Sequence, residues 1–418
     1  MIEMAMYDFR EGDIATAGAY SRLTLVGPET RNAVIVPKGM NSIKQIVGTF
    51  HFDTTDAEGA ACAVKLSGLK FGAYETILGG HTNGTAVGNG ADAHIMAPMV
   101  INTNLAVAPD AELWVESTMI GTATAGSCNV ELVFDAAQGE KRYGYIRVVS
   151  IAAPGTKTAA NSDATTSTAY GIKIPSDAVR ISSMIPFTSA VALATASGGI
   201  ALVKLEGGLP DGDFYLPAGG HCGLATTAGL CAGYYEVDQI QTNVLVSPGS
   251  NLQVYGETKG TDWGTAQVGI AIEMATSAGG GPVMTYRGRD LLVGGVDAWV
   301  LLTANGAFTT PGPLTVPAGF SKIKQIVHCE GDSTPTAASR NHGTILKLTG
   351  VADGEALLCL SGLTGAGVTG GNAGTTMGAR LRNVDILVGS GIISPYIGMS
   401  SGVDTSAPYS AIALGFSK

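Results

Sequence analysis

The segment GAGVTG at residues 365–370 is the pattern in this sequence most typical of nucleotide chemistry, because it matches GxGxxG. In dinucleotide-binding proteins these glycines join a strand to a helix, and the helix N-terminus holds the pyrophosphate. No helical periodicity follows the segment, and strand-like runs lie on both sides of it. We therefore interpret it as a loop between strands and predict no nucleotide site.

A glycine pair followed by histidine occurs twice, as GGH at 79–81 and at 219–221, and the corresponding third stretch reads SGL at 361–363. A metal site needs two or three ligands that converge on one point, whereas the chain has only six histidines. We interpret both motifs as turn glycines beside a surface or interface histidine.

Two acidic loops carry the oxygen-rich side chains that calcium prefers, DTTD at 53–56 with Glu58 and DGD at 211–213. Neither loop recurs at regular spacing, and neither has the spacing of an EF-hand. The interpretation is that both are solvated turns. No metal site is predicted, and bound calcium stays open at this stage.

Cysteine spacing gives no sign of a disulfide framework or a zinc knot, because no CxxC occurs and the cysteines are irregularly placed. We expect reduced, packed thiols at these positions: Cys62, Cys128, Cys222, Cys231, Cys329 and Cys359. No GxSxG, HExxH or Ser-Lys pair stands in a plausible context either. The sequence therefore predicts no catalytic residue, no cofactor-binding residue and no enzyme activity.

The chain is poor in charge, with 14% charged residues in 418, against about 25% in an average soluble protein. A monomer needs a charged surface, so this composition favours burial against other copies of the same chain. The net charge is −10, and no basic cluster is longer than Lys141-Arg142. Direct nucleic-acid binding needs clustered lysines and arginines, so we expect none.

An internal repeat organises the whole chain. VPKGMNSIKQIV at 36–47 and VPAGFSKIKQIV at 316–327 share eight of twelve positions, and IPSDAVRISSMI at 174–185 lies between them. A second motif, Lys-Leu-x-Gly, begins at Lys65, Lys204 and Lys347, with steps of 139 and 143 residues. A third, TNLAVAPDAELWV at 103–115, corresponds to TNVLVSPGSNLQV at 242–254. The sequence therefore predicts three tandem units, at residues 1–138, 139–279 and 280–418.

Each unit reads as short Val-, Ile-, Leu- and Thr-rich runs separated by Gly, Asn, Asp or Pro, which is typical of antiparallel strands. This pattern predicts an all-β protein of three antiparallel β-sandwich domains, jelly-roll-like and derived by internal triplication. The strands predicted in the first unit are 21–26, 32–36, 43–52, 61–66, 74–78, 93–101, 113–117 and 129–134. The closing strands are placed at 129–136, 266–275 and 410–417.

Two segments bear on localisation. The first twelve residues carry Glu3 and Asp8 and lack a long apolar core, so we expect no secretory signal. Residues 182–203 carry no charge over 22 positions, but they contain Pro186 and a glycine pair. The repeat divides that stretch into two strands and a turn, and we therefore predict no membrane span.

In general plan the chain resembles the tandem jelly-roll capsid proteins of icosahedral viruses. The resemblance implies a self-assembling capsid or coat protein that forms a pseudo-three-fold tile and a large homo-oligomer. It also implies assembly in the host cytoplasm, localisation in the virion, and contacts with other virion proteins. The chain departs from that family by having three sandwiches rather than two and by lacking a basic N-terminal arm.

Other structural and binding roles stay open. Because of these two departures, a phage decoration protein or a tube lattice protein is an alternative. A tandem carbohydrate-binding or adhesin protein is a further alternative, but sugar sites stack rings on exposed aromatics. The chain has 6% aromatics, and its tryptophans, Trp114, Trp263 and Trp299, occupy no repeated position.

Overall fold

The computed structural model describes residues 6–14, 17–25, 33–53, 59–82, 98–121, 125–166, 171–190, 198–222, 233–235, 237–260, 266–292, 298–303, 313–332, 340–365, 375–389, 391–400 and 408–418. Every regular element in these ranges is a β-strand, and the chain is all-β as the sequence predicts. Within the same ranges no helix has the length and hydropathy needed to cross a membrane.

Strands β1 to β10 form unit 1, and they pair antiparallel in two sheets. They are β1 (Met6–Ile14), β2 (Ser21–Arg22), β3 (Thr24–Leu25), β4 (Val34–Ile35), β5 (Ser42–Asp53), β6 (Gly59–Ser67), β7 (Tyr74–Thr82), β8 (Met99–Ala106), β9 (Glu112–Gly121) and β10 (Ala125–Asp135). One sheet has the order β3-β1-β10-β5-β8, and the other has β7-β6-β9-β2 with β4 also on β9.

Unit 2 repeats this plan. Its strands are β11 (Arg142–Ile151), β12 (Thr158–Ala159), β13 (Ile172–Lys173), β14 (Arg180–Ala190), β15 (Gly198–Glu206), β16 (Phe214–Cys222), β17 (Gly233–Tyr235), β18 (Ile240–Leu245), β19 (Asn251–Gly260) and β20 (Ala266–Ala275). The first sheet has the order β11-β20-β14-β18, and the second has β12-β19-β15-β16 with β13 on β19.

Unit 3 follows the same order again. Its strands are β21 (Met284–Leu292), β22 (Val300–Leu301), β23 (Leu314–Thr315), β24 (Lys322–Asp332), β25 (Arg340–Val351), β26 (Gly354–Gly365), β27 (Thr375–Gly378), β28 (Arg380–Leu387), β29 (Ile392–Ser400) and β30 (Pro408–Ser417). One sheet runs β21-β30-β24-β28, and the other runs β22-β29-β25-β26 with β23 on β29.

These orders are those of a jelly roll. If the main strands of each unit are lettered B to I along the chain, every unit has a BIDG sheet facing a CHEF sheet. The predicted fold class is therefore confirmed. The second sheet of unit 2 and the first sheet of unit 3 also meet where the last residues of β16 and β24, Cys222 and Asp332, pair in parallel, which links them into one ten-stranded sheet.

The repeated motifs occupy equivalent places in the three units. Each motif proline accepts a backbone hydrogen bond from the residue three positions later: Met40 N to Pro37 O at 3.0 Å, Ala178 N to Pro175 O at 3.1 Å and Phe320 N to Pro317 O at 3.1 Å. The D strand that follows has a β-bulge in every unit, just before Gln45, Ser183 and Gln325. The repetition in the sequence therefore records shared turns and bulges.

The structure corrects the predicted strands at the start of each unit. The B strands β1, β11 and β21 were not predicted, although each pairs along its whole length with the last strand of its unit. The strand predicted at 93–101 begins at Met99 in the described residues, and 93–97 lie outside them. The uncharged stretch 182–203 falls on β14 and β15, as predicted. The domain boundaries after residues 138 and 279 stay a prediction.

Candidate functional site

The surfaces between units are the most developed sites of this protein. The E and F strands of one unit contact the BIDG sheet of the next: β6 and β7 meet β11 and β14, and β15 and β16 meet β21, β24 and β30. The same pair of surfaces is thus used twice in the chain. We define this contact as the serial interface.

At each serial interface, the following unit adds one strand to the sheet of the preceding unit. β17 of unit 2 pairs antiparallel with the F strand β7 of unit 1, and β27 of unit 3 pairs antiparallel with the F strand β16 of unit 2. Each added strand comes from the segment between strands F and G of the following unit. Such β-augmentation satisfies the edge groups of the F strand and fixes its register through the main chain.

The GGH motifs lie on the F strands that pair with these added strands. Gly80 pairs with Tyr235 at the first interface, and Gly220 pairs with Met377 at the second. A Cβ atom on Gly220 would lie 1.4 Å from the carbonyl oxygen of Glu330 in unit 3, so only glycine permits this approach. The prediction that the glycines form turns is therefore wrong, since both lie within edge strands at an interface. The side chains of the two histidines lie outside the described residues.

Apolar packing crosses from one unit into the next. Ile146, Val148, Ile185 and Phe187 of unit 2 are buried in the hydrophobic cluster that forms the core of unit 1. The second interface repeats this arrangement, since unit 3 contributes Met284, Tyr286, Val327 and Ala413 to the core cluster of unit 2. The outer face of each following BIDG sheet is therefore core rather than surface.

A buried carboxylate joins the first two units. Glu273 of β20 is 2% exposed. It accepts hydrogen bonds from Tyr74 Oη at 2.9 Å and Thr103 Oγ1 at 2.7 Å, both in unit 1. Ser182 Oγ donates to it at 2.6 Å, and Arg142 forms an ion pair with it. Four donors from two units therefore compensate the desolvation of one charge.

Burial and the neighbouring charge affect the tyrosine of this cluster. Burial of Tyr74, together with the Glu273 carboxylate, raises the pKa of its hydroxyl well above the usual value. The hydroxyl therefore keeps its proton and remains a donor to Glu273 across the neutral range. The cluster extends outward to Glu140, whose carboxylate lies 3.0 Å from Arg142 Nη2.

The second interface has a neutral polar cluster at the equivalent position. Tyr286 Oη of β21 donates to Gln325 Oε1 at 2.5 Å and lies 3.3 Å from Thr242 Oγ1 of unit 2. Gln325 Nε2 donates to the carbonyl oxygen of Gln241 at 2.8 Å. Thr242 corresponds in the repeat to Thr103. One interface thus uses a charge, and the other an amide and a hydroxyl.

The two clusters differ in which strand carries the tyrosine: strand F of the preceding unit in the first interface, and strand B of the following unit in the second. In the first interface Tyr74 of strand F lies over Gly144 of strand B, where an added Cβ would come within 2.7 Å of the tyrosine ring. In the second, the F-strand position is Phe214, and Tyr286 occupies the B-strand position. Their ring centroids are 5.3 Å apart. The hydroxyl is therefore supplied from opposite sides of the two interfaces.

Charged side chains of units 2 and 3 also form contacts across the second interface. Lys259 of β19 forms a buried ion pair with Asp290 of β21. Arg287 Nη2 donates to the carbonyl oxygen of Asp211 at 2.9 Å, and Lys418 Nζ lies 3.6 Å from Asp211 Oδ1. The DGD loop at 211–213, interpreted from sequence as a solvated turn, therefore receives cationic side chains from unit 3.

The other residues considered in the sequence are placed as follows. GAGVTG has only Gly365 in the described residues, at the end of β26, and of DTTD and Glu58 only Asp53 is described. Within the described residues no three His, Cys, Asp or Glu side chains form a group that could hold a metal ion. Cys62, Cys128 and Cys329 are free and buried, as predicted, whereas Cys359 is free and exposed. Cys231 and the side chain of Cys222 lie outside the described residues.

Sequence reasoning missed the residues that hold the units together. Glu273 lies in a strand that reads as apolar, and Tyr286 lies in a B strand that was not predicted. One signal was available: the Gln of IKQIV recurs at Gln45 and Gln325, at the same bulge. A polar residue repeated within an apolar strand indicates a contact shared by two units.

Comparison with known proteins gives similarity at the level of structure only. No family model matches the sequence, and no curated protein matches it. The major capsid protein P2 of bacteriophage PM2 is 10% identical, covers 66% of this chain and 98% of its own, and has a TM-score of 0.26. The structure of Sulfolobus Turreted Icosahedral Virus gives 10% identity, 98% and 90% coverage, and a TM-score of 0.18.

A carbohydrate-binding structure has a similar score. The tandem CBM22-1-CBM22-2 domains of Paenibacillus barcinonensis Xyn10C are 12% identical and cover 65% of this chain and 93% of theirs, with a TM-score of 0.17. The fold assignment rests on the strand order within the three units rather than on these scores.

Proposed function

We propose that this chain is a self-assembling structural protein of a viral capsid, in which three jelly rolls act as one rigid tile. The serial interface carries the proposal. Each following BIDG sheet is buried in the core of the preceding unit. Its buried charges have partners across the contact, since Glu273 accepts hydrogen bonds from Tyr74 and Thr103 of unit 1 and Asp290 pairs with Lys259 of unit 2. Such an interface resembles a domain core more than a transient contact between domains.

The proposal places the protein in the virion, in contact with many copies of itself. Low overall charge supports this role, since surfaces that meet in a lattice are depleted of charged residues. Among the described residues no strand of unit 3 pairs with a strand of unit 1, although β27 of unit 3 contacts β7 of unit 1. The pseudo-three-fold tile that the resemblance implies stays a prediction.

Electron microscopy of the purified protein, combined with light scattering across a concentration series, tests the proposal. We expect regular particles, tubes or sheets, and a scattering mass many times that of the 42.3 kDa chain. A protein that stays monomeric at all concentrations would contradict a shell role and would favour a binding module instead.

A further inference from the structure

In the described residues, one E–F side and one BIDG sheet are not used in a serial interface. Unit 1 has its E–F side covered by unit 2, and unit 2 has its E–F side covered by unit 3. Unit 3 has the same E–F side, and unit 1 has the same BIDG sheet, yet among the described residues no strand pairing joins them. We call these two surfaces the tail, on unit 3, and the head, on unit 1.

The tail is an open sheet edge with apolar side chains. Its F strand β26 pairs only with β25 in the described part of the chain. Leu357, opposite Lys347, is 58% exposed. The equivalent residue in unit 2 is Tyr215, which lies opposite Lys204. Tyr215 is only 5% exposed because unit 3 covers it. Edge strands of this kind recruit another strand unless they are protected.

The glycine of close approach is also present at the tail. Gly220, whose missing side chain admits the Glu330 carbonyl of the next unit, lies opposite Ile200. The same register places Gly362 in β26, opposite Gly343. The histidine of the motif is replaced in this unit, whereas the glycine is kept. Unit 3 therefore keeps the space for another unit, and among the described residues no strand of another unit pairs with β26.

The head carries the residues that unit 3 uses to bind unit 2. Gln45 and Val47 of β5 correspond to Gln325 and Val327 of β24. Val327 is 1% exposed beneath unit 2, whereas Val47 is partly exposed. Tyr7 lies opposite Val133 in β10, in the register where Tyr286 lies opposite Gly415 in β30.

Gln45 already makes the hydrogen bond within its own unit that Gln325 makes in unit 3. Gln325 donates to Asn383 of its own unit at 3.3 Å and to the Gln241 carbonyl of the preceding unit at 2.8 Å. Gln45 donates to the equivalent residue of its own unit, Asn102, at 2.8 Å. Among the described residues, no strand of another unit pairs with the sheet of β5, where the acceptor of the second hydrogen bond would lie. Unit 1 and unit 3 thus share a docking signature, and only unit 3 uses it internally.

From these observations we infer that a second copy of this chain docks its head on the tail of the first, which repeats the serial interface between chains. The contact is heterologous, because different surfaces meet, so it generates rings or open filaments according to the rotation between copies. This inference rests on the proposed function, since it names the surface through which the chain assembles.

Two blocking variants test the inference. Leu357→Arg places a charge on the tail, and Val47→Arg places one on the head, where it would have to be buried. Ile392→Arg is the matched control for the tail, because Ile392 is 57% exposed and lies in strand H, away from the F edge. Ile35→Arg, on the C side of unit 1, is the control for the head. Circular dichroism confirms that each variant is folded.

Sedimentation velocity then measures association. We expect each blocking variant to raise the apparent dissociation constant by at least about tenfold, as loss of a central contact does, and the controls to assemble like the wild type. Each blocked variant keeps one intact surface, so an equimolar mixture of Leu357→Arg and Val47→Arg should give a dimer that neither forms alone.

The possible failures are distinguishable. If the wild type assembles and both blocking variants assemble equally well, assembly stands and the head-to-tail contact is wrong. The same conclusion follows if the mixture gives no dimer while each variant has lost assembly. If the wild type stays monomeric at every concentration, the proposed function fails, and the head-to-tail contact fails with it.

Discussion

Glu273 shows how a single charge is retained inside an interface. An unpaired carboxylate there would be strongly unfavourable, but Tyr74, Thr103 and Ser182 donate to it and Arg142 neutralises it. The donors come from two units, so the cluster is complete only when the units are docked. The equivalent cluster of the second interface reaches a similar result with the neutral side chains of Tyr286 and Gln325. A charge is therefore one of two solutions to the same packing problem.

Replacing Glu273 by leucine should destabilise the chain by about 3–5 kcal/mol, because three buried hydroxyl donors would lose their acceptor and Arg142 would keep only Glu140 as a partner. Glu273→Gln should cost less, since the amide oxygen still accepts hydrogen bonds from the hydroxyls. Urea unfolding measures both, with Glu112→Gln on an exposed strand position as the control. A free energy for Glu273→Leu within about 0.5 kcal/mol of wild type would show that the cluster contributes little.

His328 gives unit 3 a dependence on pH. It is buried in β24, and this burial, with the nearby Arg380 and Arg382 charges, lowers its pKa to about 4. The unfolded chain binds a proton near pH 6.5, whereas the folded chain stays neutral. Stability from this residue is therefore complete above pH 6.5 and is lost progressively as the pH falls toward 4.

Between pH 7 and pH 5 this linkage should remove about 2 kcal/mol of stability. His328→Gln keeps a polar side chain of similar length but does not titrate, so its stability should change less over the same interval. Chemical denaturation at the two pH values measures the difference. Equal losses for the variant and the wild type would assign the acid sensitivity to other groups.

At the scale of elements, the sequence predicts strands well where apolar alternation is undisturbed. The closing strand β20 begins and ends where predicted, and the proline turns are equivalent in all three units. The B strand β21 was missed because Arg287, Arg289 and Asp290 lie in it. In unit 2, the carbonyl oxygen of Asp211 accepts a hydrogen bond from Arg287, and Lys259 pairs with Asp290. Periodicity cannot show that a partner unit compensates these charges.

The close approach of β16 to unit 3 predicts that Gly220 cannot be replaced without a cost in stability. Gly220→Ala would force the added Cβ into the Glu330 carbonyl at 1.4 Å, so β16 and unit 3 would have to separate. We expect a loss of at least about 2 kcal/mol and faster proteolysis between units 2 and 3. Gly280→Ala is the matched control, since nothing lies within 4 Å of its added Cβ. Wild-type behaviour of Gly220→Ala would contradict the close approach.

At the scale of the whole molecule, the repeat predicts three sandwiches but not how they dock. Serial docking depends on which residues of a BIDG sheet face outward, and a buried outer face looks in sequence like a second core face. Phe187 and Val148 are such residues, since both belong to the core cluster of unit 1. The functional surface of this protein is therefore predictable from the sequence only in part, through the repeated Gln45 and Gln325.

The balance of apolar and charged contacts sets the response of the assembly to salt. The head and the tail present Val47, Thr49 and Leu357 rather than clustered lysines or arginines. The ion pairs at the serial interfaces, Arg142 with Glu273 and Lys259 with Asp290, are buried and are therefore screened only weakly.

Assembly should accordingly persist in about 1 M salt, where surface ion pairs are screened and apolar burial is not weakened. Light scattering across a salt series, at a fixed protein concentration, measures this, and Leu357→Arg provides a form whose tail is blocked by a charge. The scattering mass of the wild type should stay constant or rise with salt. A fall to the mass of the single chain would show that electrostatic attraction holds the copies together, since apolar contacts of the kind present at Leu357 do not dissociate under those conditions.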